Sequence, residues 1–150
     1  MRKTLLDESE TEKLGGLVGD AHKPGLTVTL QGQIGAGKTT FARGFLRSLG
    51  YKGHVKSPTF TLIEYYEFGT YDLYHIDLFR LEHSRELDYL GIDADKKNKT
   101  TYLIEWPKFD LTFATEIDVN ITLEVLKNKR EAILTSHTKE GRQLLSGLET

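Results

Sequence analysis

Hydrophobic positions change their period several times along this chain, and each change marks an element. Between Glu8 and Ala21, Leu14, Leu17 and Val18 fall at the three- and four-residue spacing of one helix face, and Pro24-Gly25 stops the run. Residues 26–30 (LTVTL) are short and β-branched, which predicts a strand. After a glycine-rich stretch, helical spacing returns over 39–49, with Phe41, Phe45, Leu46 and Leu49 on one side and Gly50 closing it. Residues 59–68 and 71–81 are rich in aromatic and β-branched side chains around Gly69-Thr70, a hairpin signal. Ser84 can cap a short helix through Leu90, which Gly91 ends. Residues 100–105 predict another strand, halted by Pro107. Ile117, Val119, Ile121, Leu123 and Val125 alternate strictly, so that strand buries one face. A turn over 127–129 leads to a return strand at 132–136, and 139–148 predicts a closing helix. Strands mixed with helices, some joined by hairpins, predict a single α/β domain over 1–150 with a mixed, partly antiparallel sheet flanked by helices.

Composition leaves that picture intact. The chain has 150 residues, 38% hydrophobic and 28% charged, enough for one core and too apolar for disorder. No apolar stretch approaches the roughly 20 residues that cross a bilayer. The N-terminal run MRKTLLDESETEKLG turns acidic where an export signal needs an apolar centre, so a cytoplasmic protein without membrane association is expected. The absence of cysteine excludes disulfides and thiolate metal sites. Net charge is −2, yet between Ala21 and Ile63 there are six Lys/Arg and no Asp or Glu. That local excess attracts an anion, whereas a mildly acidic chain without a basic tract is poorly suited to gripping nucleic acid alone.

The anion site is written in Gly32-Gln-Ile-Gly-Ala-Gly-Lys-Thr39, which matches G-x-x-x-x-G-K-[ST] at every fixed position, between a predicted strand and a predicted helix. Glycines let successive N–H groups turn toward phosphate oxygens, and the helix N-terminus adds a favourable dipole. Lys38 would reach the β- and γ-phosphates and the Thr39 hydroxyl would join a magnesium shell. Magnesium needs a further carboxylate, and two candidates end apolar runs: Glu105 in Tyr102-Leu-Ile-Glu105 and Asp77 in Tyr74-His-Ile-Asp77. Position alone leaves that choice open. His75, two residues before Asp77 and on the same side of its strand, reads as a packed or hydrogen-bonded residue rather than a metal ligand. In Lys56-Ser-Pro-Thr-Phe60, the Thr59 hydroxyl behind a rigid proline suits either a nucleotide-sensing switch or an ordinary turn. Two GTPase lookalikes are discounted. Asp88-Tyr-Leu-Gly91 lies in a helix that its own glycine ends, and Asn128-Lys-Arg-Glu131 has Glu for Asp in a hairpin turn, so ATP is favoured over GTP.

Several stretches together resemble the TsaE family, small ATPases of bacterial tRNA threonylcarbamoyladenosine synthesis. They are residues 32–44 (GQIGAGKTTFARG), 55–62 (VKSPTFTL), 74–81 (YHIDLFRL), 86–91 (ELDYLG) and 103–107 (LIEWP), in the family's order and spacing over essentially the whole chain. The resemblance implies a P-loop NTPase-like fold that binds ATP/ADP with Mg2+ and hydrolyses ATP weakly alone. It also implies work beside TsaB- and TsaD-like partners, resetting their complex between turnovers, with tRNA met only through that complex. Residue by residue, it implies that Gly35, Ala36, Gly37, Lys38, Thr39 and Thr40 bind the nucleotide and that Thr39 and Glu105 hold the metal. Lys38, Thr59, Asp77 and Glu105 would support hydrolysis or switching, Trp106 would help position the carboxylate it follows, and Thr11 and Arg130 would approach the nucleotide from the two chain ends. Gln33 departs from the family, which usually has Asp there; if that Asp assists metal or water, Gln33 slows hydrolysis and spares binding. Two rivals stand beside this reading. A small-molecule kinase would use the same loop, but Arg80, Arg85, Arg130 and Arg142 are too scattered to form a lid. A non-hydrolysing module that signals nucleotide state to a partner is kept open by Gln33.

Overall fold

In a computed structural model describing residues 1–92, 99–108, 111 and 116–149, the chain runs β1 (Arg2–Leu5), α1 (Glu8–Ala21), β2 (Thr27–Gln31), α2 (Lys38–Ser48), β3 (Ile63–Glu67), β4 (Tyr71–Asp77), a 3-10 helix (Ser84–Tyr89), β5 (Lys99–Glu105), β6 (Val119–Val125), β7 (Arg130–Ser136) and α3 (Lys139–Glu149). The strands form one sheet in the order β1-β7-β6-β2-β5-β4-β3. β6, β2, β5 and β4 are mutually parallel, while β1, β7 and β3 attach antiparallel, so the mixed sheet matches expectation.

Central strands covered on both faces need near-continuous burial, and β4 from Asp72 and β5 from Thr101 supply it. Because side chains alternate, Val28, Leu30, Leu73 and Leu103 face one way and meet Leu14 and Val18 of α1, Phe41 and Phe45 of α2, and Leu144 of α3. Tyr74, Ile76, Tyr102 and Ile104 face the other way, against Leu78, Leu81 and Leu87. The register pairs Leu30 with Glu105 and Asp77 with Glu105, so the loops leaving three parallel strands open at one edge of the sheet. In open α/β sheets such an edge is where ligands bind.

The buried side of α1 differs from the expected apolar face. Leu17 is exposed, and the buried positions are Thr11, Leu14, Gly15, Val18 and Gly19. Glycines are there because α2 lies against them backbone to backbone. A Cβ on Gly15 would stand 2.0 Å from the Phe41 carbonyl oxygen, and one on Gly44 would stand 1.9 Å from that of Glu12.

Three further differences have local causes. Strand β1 went unforeseen because only Leu5 of its four residues is buried, too little for a periodic signal, although it pairs with β7 from Arg2 to Leu5. The first hairpin strand starts at Ile63 rather than 59 because the Leu62 amide turns back to the Pro58 carbonyl (2.7 Å), with Leu62 at φ 68°. The second ends at Asp77 rather than 81 because the Leu81 amide closes a turn onto the Leu78 carbonyl (3.1 Å). Among the described residues no helix is long and apolar enough to cross a membrane.

Two buried polar groups tie the sheet to its helices. Asp118 accepts from the Thr27 amide (2.8 Å) and the Thr138 hydroxyl (2.5 Å), joining the start of β2 to the start of α3. His22, at the end of α1, contacts the Thr101 hydroxyl through Nε2 (2.9 Å), and burial pushes its pKa from 6.5 down to about 4. The folded state therefore binds this proton less readily than the unfolded chain. Its contribution is complete above pH 6.5 and is lost as pH falls toward 4, up to about 3 kcal/mol. Urea unfolding of His22→Gln from pH 7 to 4 should be flatter than that of the parent; parallel curves would rule His22 out as the acid-labile group.

Candidate functional site

The loop after β2 wraps because its glycines adopt backbone conformations closed to other residues. Gly35 and Gly37 have φ of 83° and 109°. A Cβ on Gly32 would meet the Leu123 carbonyl oxygen at 2.6 Å, so the loop is pressed against the end of β6. Helix α2 starts on Gly37, whose lack of a side chain leaves the first N–H groups of the helix without a side-chain cap. The Lys38 ammonium bonds the carbonyls of Gly32 (2.5 Å) and Gln33 (3.1 Å) and lies 4.4 Å from the centre of the Trp106 ring. Burial lowers its pKa, against the pull of Glu105 and Asp77.

Both carboxylates considered from the sequence face this lysine. Asp77 ends β4 and Glu105 ends β5, side by side in parallel register, and each is 3% exposed. Asp77 Oδ1 accepts from the Phe79 amide (2.9 Å) and Oδ2 from the Thr59 hydroxyl (3.2 Å), while burial holds its pKa above the usual range. Glu105 Oε2 meets His75 Nε2 at 2.6 Å. His75 is thus a packed, hydrogen-bonded residue. Ser57 shares a hydrogen with Thr59 (2.7 Å), so the Ser-Pro-Thr turn presents two hydroxyls.

Trp106 directly follows Glu105 and sits at φ 56°. A bulky residue held there costs about 1–3 kcal/mol, and such strain gathers at functional sites. Its amide bonds the Leu30 carbonyl (3.1 Å), and its ring lies 4.9 Å from that of Phe79. The indole thereby becomes a wall facing Lys38.

Lys38, Ser57, Thr59, Asp77, Glu105 and Trp106 line one cavity of about 470 Å³, bounded also by Gly35, Gly37, Thr39, Thr40, Thr11 and Arg130. Thr11 and Arg130 do come from opposite ends of the chain. Around Gly37, a Cβ would find Thr11 Cγ2 at 3.2 Å and Arg130 Nε at 3.8 Å, and Arg130 Nη2 bonds the Gly35 carbonyl (3.1 Å). Ala36 is the exception among the candidates: it is fully buried beneath the loop and does not line the cavity. Gln33 is exposed and contributes its carbonyl, which accepts from the Ala36 amide (3.0 Å) as well as from Lys38.

Sequence reasoning missed Glu8, Ile34 and Phe79, which complete the lining. Ile34 and Phe79 lie inside motifs already singled out. Glu8 carried no signal beyond an acidic first turn, yet its carboxylate accepts from the Thr40 hydroxyl (3.3 Å) and Arg43 (3.3 Å) on α2. Asp88 and Gly91 stay outside the cavity, on and after the 3-10 helix, and Asn128 lies in the β6–β7 turn.

The arrangement suits a polyphosphate with a divalent ion. Exposed amides at a helix start and a buried ammonium answer phosphate charge. Among the described residues no three His, Cys, Asp or Glu side chains gather to chelate a metal unaided. The Thr39 hydroxyl and one carboxylate on the same cavity fit magnesium, which takes few protein oxygens and completes its shell with phosphate and water.

Comparison with known proteins gives the family. A sequence model of the family described as "Threonylcarbamoyl adenosine biosynthesis protein TsaE" matches residues 5–133. The Haemophilus influenzae protein named tRNA threonylcarbamoyladenosine biosynthesis protein TsaE is 36% identical over 121 residues, 81% of this chain and 77% of that one. Its namesake in Rickettsia conorii is 34% identical over 143 residues, 93% and 81% of the two chains. The crystal structure of Bacillus subtilis YdiB matches with a TM-score of 0.78 at 27% identity, over 99% of this chain and 93% of the other.

Proposed function

This chain belongs to the TsaE family, whose members are tRNA threonylcarbamoyladenosine biosynthesis proteins, and from that premise we propose that it is the ATP-hydrolysing subunit of that synthesis. It resets a complex of TsaB- and TsaD-like proteins between turnovers and meets tRNA only through them. The observation that supports this most is the convergence of Lys38, Thr39, Thr59, Asp77 and Glu105 on one cavity beside the phosphate loop.

In this scheme Lys38 exchanges the carbonyls of Gly32 and Gln33 for the phosphates of ATP, and the N–H groups of the loop and first turn of α2 fix their position. Thr39 and Glu105 are the residues that would hold magnesium. The chemistry magnesium would supply there is neutralisation of phosphate charge. Asp77, buried and bonded to Thr59, orders the attacking water from the strand beside Glu105. Trp106 keeps bulk water from the ammonium, and Thr11 and Arg130 bracket Gly37. Gln33 is exposed at the loop tip, and it would slow hydrolysis and spare binding if an Asp at that position assists metal or water.

The test is multi-turnover threonylcarbamoyladenosine formation by the partner pair, with and without this chain and ATP. Sustained turnover only when both are present is expected. The proposal is falsified if the partners turn over equally well without this chain. Label passed from ATP to a metabolite would favour the kinase, and tight ATP binding with no phosphate release beside the partners would favour the signalling module.

A further inference from the structure

A carboxylate buried as deeply as Glu105 needs a hydrogen-bond donor. Lys38 is the cation facing it across the cavity, but the hydrogen bonds of its ammonium go to the carbonyls of Gly32 and Gln33 and none to Glu105. The donor that Glu105 does have is His75 Nε2, at 2.6 Å. The tautomer with its hydrogen on Nε2 is the one that lets the ring donate in this contact.

His75 touches none of the cavity. It is completely buried and absent from the lining residues, and in register it opposes Leu103, two positions before Glu105. Its ring therefore reaches along the sheet from below and grips one oxygen of the carboxylate. Nδ1 is buried without a hydrogen-bond partner among the described residues. A side chain needed only to fill this space would be apolar and would leave no ring nitrogen unsatisfied. Asp77, its neighbour two residues on, is held instead by Phe79 and Thr59, so the two carboxylates have separate supports.

Resting on the reading of Glu105 as the magnesium carboxylate, we propose that His75 is a positioning residue, which fixes the rotamer of Glu105 and so sets metal affinity without touching nucleotide or metal. Groups that orient a metal-binding carboxylate commonly change affinity 10–100-fold when removed.

The test uses the full chain and a non-hydrolysable imido analogue of ATP, with binding followed by fluorescence of Trp106, the only tryptophan. The half-saturating magnesium concentration is measured for the parent, H75L, H75N, H75Q and E105Q. Glutamine places its amide nitrogen near the position of Nε2, whereas asparagine is too short to reach Glu105. Expected are half-saturating concentrations raised about 10–100-fold in H75L and H75N, a value near the parent in H75Q, and unchanged analogue affinity without metal in the three His75 variants. A purely structural histidine would instead lower the unfolding midpoint in all three variants and leave magnesium dependence alone, which would overturn the proposal. If H75L does not fold, H75N against H75Q decides, and equal behaviour of that pair overturns it. An increase in E105Q without one in H75L or H75N defeats the assignment of His75 alone. No increase in E105Q defeats the metal role of Glu105 and the proposal with it.

Discussion

Lys38→Ala should lower ATP turnover, alone and beside the partners, by on the order of 10²–10³-fold, the usual cost of losing one donor aimed at developing charge. The effect is large because nothing nearby can substitute. Arg130 points its guanidinium at the Gly35 carbonyl, and Arg43 is engaged with Glu8 and Glu12 of α1. The fold should not suffer. Alanine is a strong helix former at the first position of α2, and the ammonium it removes is one that burial already disfavours. Phosphate release and Trp106 fluorescence on adding nucleotide are the measurements, with thermal unfolding as the control. Turnover within a few-fold of the parent would remove Lys38 from the chemistry.

The second large effect lies away from the cavity. Gly44→Ala should destabilise the protein by about 3 kcal/mol or more, because the new methyl would overlap the Glu12 carbonyl, and backbone cannot step aside as a side chain can. Gly16→Ala supplies the contrast. Its Cβ would lie 3.7 Å from the Gly44 carbonyl, an ordinary contact, so better helix propensity should leave stability unchanged or raise it by up to about 1 kcal/mol. Urea unfolding of the two variants checks both signs. Equal stabilities would mean that α1 and α2 can separate freely.

What could be read from the sequence was whatever is written in neighbouring residues. The phosphate loop is eight consecutive positions between a strand and a helix, so its chemistry and setting were visible together. Helix α1 was bounded correctly because its stop is local, and the strictly alternating strand β6 began two residues late only because the pattern runs into its approach. Contacts set by strand order were not legible. Glu105 and His75 stand 30 positions apart, and only parallel pairing of β4 with β5 brings them together. Glu8 reaches the cavity through the α1–α2 crossing, and Gly15 and Gly19 have no meaning in a pattern of apolar and polar positions until α2 is laid against them. The choice between Asp77 and Glu105 stayed open for a related reason. Both end buried strands on the same edge, and they differ in their partners, Thr59 and Phe79 for one and His75 for the other.

The crossing of α1 and α2 also has a mechanical consequence. Where Gly15 and Gly44 each face a carbonyl of the other helix, no side chain stands between the two backbones that could yield, so the separation of α1 and α2 is fixed there by backbone itself.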